Sequence, residues 1–592
     1  MEFIQNDKVI YDVEVYKFFF CSTFINKDTD EKRIFIIDDI QDDRLALISF
    51  LTGDDVSIIV GYNNSRYDDW ILLGIKQGID IYELSQFIIT SKNHPIKYYK
   101  FEKIMPKLYT TGIVSYDMVL DLTASSGMTS LKNIEGALGE SIIESNIPFD
   151  LDRPLTQLEK DNQLLYNLQD VEVTKKIFQK FNKMDLHVNL IETFPNELKA
   201  LDLNKTMAKK GAKVLRAKKI IPYNNFKYES PDVLSNMIKN KHLLNFYTTA
   251  IFSTENPPEL KKIETLGGKD YIFGTGGLHM GYPFNYTGEI NYDVASYYPS
   301  LMVIFNYISD ASPDGKRILT ELIAKRLKLK AKGDIGDTSL KLLINSVYGA
   351  LLYKYSNMDA RRQVEICVTG QLLLFALCEQ LEPYCTIIQA NTDGVMLIPN
   401  DKEKIKSIVK KEFDTKLVLE LTIGKKIIQK DVNNYIYVNE DDKVKAKGSL
   451  IKYNQQIHQP NFNLPISGVT NDYTIIHEAL VRFFLYDTPI EDTIRNCDEL
   501  IRFQRIYKQQ GKYTKFFIGD QLLEGKVHRI FNVTDGGPVK GYDDKKEKIS
   551  NTSTNCITIN NAILNRTTNG VKINYEFYIE LAKEQRDMFL KK

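Results

Sequence analysis

The residues best suited to chemistry in this sequence are two groups of carboxylates far apart in the chain. In Val9-Ile10-Tyr11-Asp12-Val13-Glu14-Val15 the alternation predicts a strand, with Asp12 and Glu14 projecting from one face and the odd-numbered residues facing a core. Neighbouring carboxylates repel unless a cation lies between them. The plain alternative is an edge strand whose acidic side is simply wet. Asn63 to Asp68 follows a second apolar strand pattern, Ser57 to Tyr62, and delivers another carboxylate. Tyr166 and Asp170, four apart, share one face of a predicted helix. Together Asp12, Glu14, Asp68 and Asp170 make a set able to hold two divalent cations, with Tyr166 orienting a water for in-line phosphoryl displacement.

The second group is Asp293 and Asp393. Asp293 ends the alternating stretch Glu289 to Tyr292 and precedes Val294 to Ser300, where Pro299 breaks the strand and can open a helix. Asp393 lies between two apolar runs, Thr386 to Ala390 and Val395 to Ile398, a hairpin pattern that puts it at the tip. Alone, that Asp-Gly is an ordinary turn; beside Asp293 it is half of a metal site. Between the two aspartates, Lys341, Asn345 and Tyr348 fall at i, i+4 and i+7 on one helix face, and Arg326 and Lys330 are four apart on the preceding helix. Two helices presenting Arg and Lys inward form a cationic slot suited to a triphosphate.

Elements of both periods are needed to position these residues. The first 190 residues alternate strand and helix patterns, with a helical stretch at 156–184. Residues 190–270 read as helical and Lys-rich, with a break at Asn256-Pro257-Pro258. A strand-like stretch, 285–295, opens the next unit. Two helices, about 316–331 and 338–352, form an antiparallel pair around the Gly333 to Gly336 turn; strands return at 386–398 and 434–438. With 592 residues, about four domains are expected at roughly 150 residues each. Net charge is zero, 77 basic against 77 acidic residues, so bulk attraction to a polyanion is excluded and only local basic stretches remain. The clearest runs from Lys205 to Lys219 without an acid, and reads either as a solvated helix face or as a grip on a polyanion. Six scattered cysteines form no CxxC pair and no zinc spacing, which predicts a reducing compartment. No secretory leader pattern and no run of roughly 18 apolar residues occur, so the expectation is a soluble, cytoplasmic chain without membrane contact.

In their order, these segments resemble a family B DNA polymerase with a proofreading exonuclease, of the compact kind found in bacteriophages. Asp12-Val13-Glu14, Asn63 to Asp68 and Tyr166 to Asp170 resemble the three exonuclease motifs. Asp293 to Ser300, Lys341 to Gly349 and Asn391 to Gly394 resemble polymerase motifs A, B and C. The resemblance implies a multidomain α/β and α+β chain, an RNase H-like exonuclease domain followed by a right-hand polymerase. Its parts would be the exonuclease at 1–190, a Lys-rich connection at 191–270, palm at 271–313 and 366–440, fingers at 314–365, and thumb with the C-terminal region at 441–592.

The resemblance also implies roles. Asp293, Asp393 and the Val294 carbonyl would hold two divalent cations, Mg²⁺ with Mn²⁺ as substitute; a second pair would sit at the exonuclease carboxylates. Ser296, Tyr297, Arg326, Lys330 and Lys341 would receive the triphosphate. Tyr298 would exclude a 2′-hydroxyl, and Asn345 and Tyr348 would line the nascent base pair. Asn63, Tyr67, Gly276, Gly277, Lys447 and Gly448 would contact DNA. The partners would be primer-template DNA, dNTPs, single-stranded DNA and replisome accessory proteins, for a monomer working in the cytoplasm, a host's if the source is viral. Three features depart from the pattern: Asn391 stands where motif C usually begins with an acid; Asn63 and Asn64 both fit the second motif, with Asn63 favoured by its Gly-Tyr-Asn context; and Asn433-Asn434-Tyr435 replaces a Lys-x-Tyr segment. The short intervals between motifs A, B and C leave no room for the insertions of protein-primed relatives, so an ordinary nucleic-acid primer is expected. The competing readings are an exonuclease or a DNA-binding replisome protein whose polymerase site does not function, and a metal-dependent glycosyltransferase using an Asp-rich turn.

Overall fold

The computed structural model describes residues 7–53, 56–91, 114–119, 130–181, 183–220, 225–253, 262–274, 276–290, 292–294, 297–334, 336–351, 358–410, 419–420, 423–448, 451, 453–454, 473–509, 515–542, 548–551 and 555–591. Its first unit is a five-stranded sheet of β1 (Asp7–Tyr16), β2 (Phe19–Asn26), β3 (Lys32–Ile37), β4 (Val56–Gly61) and β5 (Val114–Asp117), ordered β3-β2-β1-β4-β5. β1 runs antiparallel to β2 and parallel to β4, so it is central. Tyr11 and Val13 pack with Phe24, Phe35 and Leu47 on one face, while Ile10 packs with Ile58, Val171 and Ile177 on the other. Burial on both faces excludes the wet edge strand. The second face is covered by helix Gln157–Phe181, whose Val171, Thr174, Ile177 and Phe178 recur at helical spacing.

Between residues 184 and 266 the helical expectation holds only in part. Helices Met184–Thr193, Met207–Val214, Asp232–Met237 and Lys241–Thr249 are interrupted by a ribbon of β6 (Phe226–Lys227) and β7 (Ile251–Phe252), and β8 (Lys262–Leu266) already belongs to the next sheet. The break at 256–258 lies outside the described residues. The basic run is not a continuous solvated track. Lys210 is buried against His187 and the Leu203 carbonyl, Lys213 pairs with Asp202 and Arg216 with Glu197. A buried amine needs such hydrogen-bond acceptors in place of water.

A seven-stranded antiparallel sheet follows. Its strands are β8, β9 (Lys269–Gly274), β10 (Gly277–Gly281), β12 (Tyr292–Val294), β13 (Cys385–Asn391), β14 (Gly394–Pro399) and β15 (Leu419–Glu420), ordered β15-β12-β14-β13-β10-β9-β8. The intervening β11 (Phe284–Ile290) joins another sheet, β11-β16-β17-β18-β19, with β16 (Gly424–Asp431), β17 (Asn434–Asn439), β18 (Val444–Lys447) and β19 (Tyr453–Asn454). The single strand expected at 285–295 is therefore two strands in two sheets. The pairing of β11 slips between Thr287 and Ile290, at Gly288, and such irregularities let a chain change direction without a Pro or Gly-rich turn to announce it.

Helices Gly315–Lys332 and Gly336–Ala350 form the expected antiparallel pair, turned at Gly333, whose φ of 66° suits glycine. Leu319 and Leu322 of the first and Leu340, Leu343 and Ile344 of the second enter one core with helix Ala360–Leu381. That last helix, extended to Tyr384, is the one segment among the described residues long and apolar enough to cross a membrane, but 83% of its apolar window is buried within the protein. It serves as a core helix here. The C-terminal unit packs helices Thr474–Tyr486, Ile490–Arg495 and Tyr575–Leu590 into a core that also takes Ile428 of β16, Ile436 of β17 and Val444 of β18.

Candidate active sites

β1 and helix Gln157–Phe181 bring Asp12, Glu14 and Asp170 together, with one ligand oxygen from each lying within 4.8 Å of the others. Asp68, buried at the start of helix Asp68–Lys76, is not one of these three, but it lies close enough to feel them: burial and then the Asp12 charge push its carboxyl well above the usual range. Glu14 is raised by burial and by repulsion from Asp12, Asp170 and Asp68. Asp12 is pushed up to about 8 by burial and Asp170, eased by Lys132 and by Asn167, whose Nδ2 donates to Asp12 Oδ2 at 2.9 Å. Closely set oxygen donors that resist ionisation are what a hard divalent cation relieves, so the residues fit the cations inferred from the sequence. Tyr166 stands beside Asp170; burial and that carboxylate keep its hydroxyl protonated and able to donate.

Two further residues belong here that motif reading missed. Lys132, on the short helix Leu131–Ala137, donates to Asp170 and, at 3.1 Å, to Glu135, with its ammonium 4.6 Å over the Tyr166 ring. Burial pulls the Lys132 pKa down, but Asp170 and Glu135 more than reverse this. The only local hint was a Lys and a Glu three apart on an otherwise apolar turn. Asn63 and Asn64, which both fit the second motif, differ in their surroundings. Asn64 is buried and spends its Nδ2 on Asp69 and Ser115, at 3.1 and 2.8 Å. Asn63 is left-handed, with φ 64°, and its Oδ1 has no hydrogen-bond partner among the described residues. The Tyr67 hydroxyl is within 2.7 Å of the Ser85 hydroxyl and the ring packs into the core, so it faces protein and not an open groove.

The second group meets at the seven-stranded sheet. β13 and β14 form a hairpin with Asn391 opposite Gly394, so Thr392 and Asp393 are its two-residue tip. β12 lies beside β14 with Asp293 directly opposite Gly394, and beside β15 with Asp293 opposite Glu420. Paired antiparallel residues have Cα atoms about 4.5–5.5 Å apart. Two motifs a hundred positions apart thus meet within one strand spacing. Burial raises the Asp393 carboxyl, opposed by its own backbone N–H and by the Lys447 and Lys445 charges. Thr392 is held at φ 58°, costly for a β-branched residue, by donating its N–H to the Leu278 carbonyl at 2.9 Å. Gly277 permits this approach: its φ is 149° and a Cβ there would sit 2.9 Å from Thr392 Cα.

The helix pair Gly315–Lys332 and Gly336–Ala350 differs from the slot drawn from the sequence. Lys330, Lys341 and Asn345 are exposed, but Arg326 is buried, with Nε donating to Asp337 at 3.0 Å across the helix pair. Arg326 therefore ties the two helices together instead of lying on an exposed face with Lys341. Tyr348 stacks on Tyr298 with ring centres 4.5 Å apart. The Tyr298 hydroxyl donates to the Gly276 carbonyl at 3.1 Å, and the Tyr297 hydroxyl to the Gly370 carbonyl at 2.6 Å. Gln371, also missed from the sequence, donates to the Gly274 carbonyl and to Cys367 Sγ, binding helix Ala360–Leu381 to the glycine loop beneath Tyr298. Ser296 lies outside the described residues, and Asp293 and Val294 are described in their backbone alone.

No family model matches this chain, and no curated protein matches it. Among solved structures it is similar to the family B DNA polymerase from the hyperthermophilic archaeon Pyrobaculum calidifontis, at 11% identity over 99% of this chain and 78% of that one, with a TM-score of 0.45.

Proposed function

We propose that this chain is a template-directed DNA polymerase that extends a primer with dNTPs and trims mismatched 3′ ends at a separate exonuclease centre. The observation that carries the reading is the pairing of Asp293 with the hairpin tipped by Asp393, apart from the Asp12–Glu14–Asp170 cluster on another sheet. Separate carboxylate centres suit making and breaking the same bond.

Asp293 and Asp393 would hold the divalent cations of the synthetic centre, and Asp12, Glu14, Asp68 and Asp170 those of the other. When bound, such ions act as Lewis acids, stabilising charge on the attacking and leaving oxygens of an in-line displacement at phosphorus. The chain's own residues place the reactants. Lys341, an exposed residue, and Lys330 would hold the triphosphate, with Ser296 and the backbone at Tyr297. Tyr298, fixed between Tyr348 and the Gly276 carbonyl, presents a rigid ring to the sugar and leaves no room for a 2′-hydroxyl. Asn345 and Tyr348 flank the base pair. The template passes Gly276 and Gly277, and the primer passes Lys447 and Gly448. At the trimming centre Asn63 grips the single strand and the protonated Tyr166 hydroxyl orients the water.

Primer extension with Mg²⁺ tests both halves. Asp393→Ala abolishes extension and spares 3′→5′ degradation; Asp12→Ala does the reverse. Loss of both activities from either folded variant would show that one centre does both jobs or neither. The second reading, a nuclease or DNA-binding replisome protein with an idle synthetic centre, is favoured by one observation: the hairpin begins with the uncharged Asn391. It predicts no extension by the wild type.

A further inference from the structure

Helix Leu131–Ala137, which carries Lys132 and Glu135 into the carboxylate centre, is too short to be stable unaided. What holds its far end comes from the other end of the chain. Arg529, on strand Val527–Gly537, is fully buried, and its guanidinium is spent almost entirely on carbonyls. One terminal nitrogen donates to the Gly136 and Glu140 carbonyls, at 3.1 and 2.6 Å; the other donates to Ile559 and Asn561, at 3.1 and 2.8 Å. Its Nε donates to Gln504 Oε1 at 2.7 Å, and Gln504 in turn donates to the Ala137 carbonyl at 3.3 Å. The Gly136 carbonyl also accepts from the Gly139 N–H at 3.1 Å, and the C-terminal unit supplies further donors there and at the Ala137 and Glu140 carbonyls. A cation there also matches the negative end of the helix dipole. Glu144 adds a second clasp, accepting from the backbone N–H groups of Lys526 and Val527 at 2.6 and 2.9 Å. The fit leaves no slack, since a Cβ on Gly136 would lie 2.7 Å from Ile506 Cδ1.

We infer that Arg529 is a positioning residue of the carboxylate centre: acting through the Gly136 and Glu140 carbonyls, it sets where Lys132 meets Asp170, so the C-terminal unit governs how tightly that centre holds its cations. The inference deepens the proposed trimming function and rests on it for the nuclease readout alone. Lys132 is the only cation contacting Asp170 among the described residues, and a shift of its helix leaves that carboxylate either over-neutralised or unopposed. Outer partners of metal ligands commonly change metal affinity about 10- to 100-fold.

The test uses the full chain and the variants Arg529→Met, which keeps a long stem without donors, Arg529→Lys, and Gln504→Met. Bound Mn²⁺ is counted by electron paramagnetic resonance, and the ions lost in Asp12→Ala define the centre. Folding is checked by circular dichroism at 20 °C, and single-strand degradation and primer extension are measured alongside. The expected result is Asp12-dependent Mn²⁺ affinity about tenfold weaker in Arg529→Met, partly restored in Arg529→Lys, with extension within twofold of wild type. Gln504→Met shows a smaller loss and decides the matter if Arg529→Met fails to fold. Unchanged Mn²⁺ affinity in a folded variant overturns the inference, as does a parallel fall of both activities that follows the folded fraction. Asp12-dependent Mn²⁺ binding without strand degradation by the wild type would overturn the nuclease reading and leave the affinity comparison to decide the inference.

Discussion

Replacing Asp12 with Asn should make the protein more stable and its trimming centre inactive, and the two effects have one cause. Burial and Asp170 push the Asp12 carboxyl up to about 8, against roughly 4 in an unfolded chain. At about 1.4 kcal/mol for each tenfold change, this is a penalty of the order of 5 kcal/mol shared among carboxylates that titrate together. One substitution should release about 1–2 kcal/mol of it, while Asn keeps an oxygen to accept from Asn167. The sign follows from the direction of the shift. Below pH 4 the group is protonated in both states and costs nothing; the cost grows as pH rises above 4 and is complete above about 8. In EDTA at pH 8.5, differential scanning calorimetry should therefore show the transition containing this sheet rising by about 2–6 °C in Asp12→Asn, an advantage that shrinks steadily toward pH 4. Saturating Mg²⁺ should invert the order, because the wild type gains binding free energy that the variant has lost. A lower transition temperature for Asp12→Asn in EDTA at pH 8.5, or an advantage that grows as pH falls, would refute the argument that these carboxylates are held together at a cost.

Three other substitutions probe the synthetic centre. Gly277→Ala must adopt φ 149° and press its Cβ against Thr392, so it should lose about 1–3 kcal/mol in thermal unfolding and most of its primer extension, while single-strand degradation is retained; wild-type extension would show the glycine contact to be dispensable. Tyr298→Val removes the ring held by Tyr348 and Gly276, and should raise ribonucleotide use relative to dNTPs at least tenfold, about 1.4 kcal/mol of discrimination, in single-nucleotide incorporation; an unchanged ratio would place the sugar elsewhere. Arg326→Met leaves Asp337 without its buried partner, and should cost about 1–3 kcal/mol by thermal unfolding with KM for dNTP raised less than fivefold; a large KM effect at unchanged stability would return Arg326 to the phosphates.

Much of the fold was legible because it is locally encoded. β1 follows from Val9, Tyr11, Val13 and Val15, the hairpin from its flanking apolar runs, and the helix pair from two apolar stripes and Gly333. Reading failed where tertiary contacts outweigh local pattern. β11 and β12 are continuous in hydrophobic alternation and separate only because their partners lie in different sheets. Lys210 and Arg326 sit at spacings typical of solvated faces, yet each is buried beside a partner that no local period reveals.

The two centres show the same division in their chemistry. Asp12 with Glu14, and Tyr166 with Asp170, are visible because periods of 2 and 3.6 bring them together, whereas Asp293 and Asp393 meet only through strand pairing across a hundred positions. Their tuning comes from groups with no fixed offset in sequence. Lys132 lies 38 positions from the Asp170 it contacts, and Arg529 lies 389 from the Glu140 carbonyl it holds. Pairs of ligands are thus written in local periods, while their assembly into centres and their tuning are written in long-range packing. A chain that kept every motif but lost the Arg529 contact would therefore look unchanged in sequence pattern and behave differently toward cations.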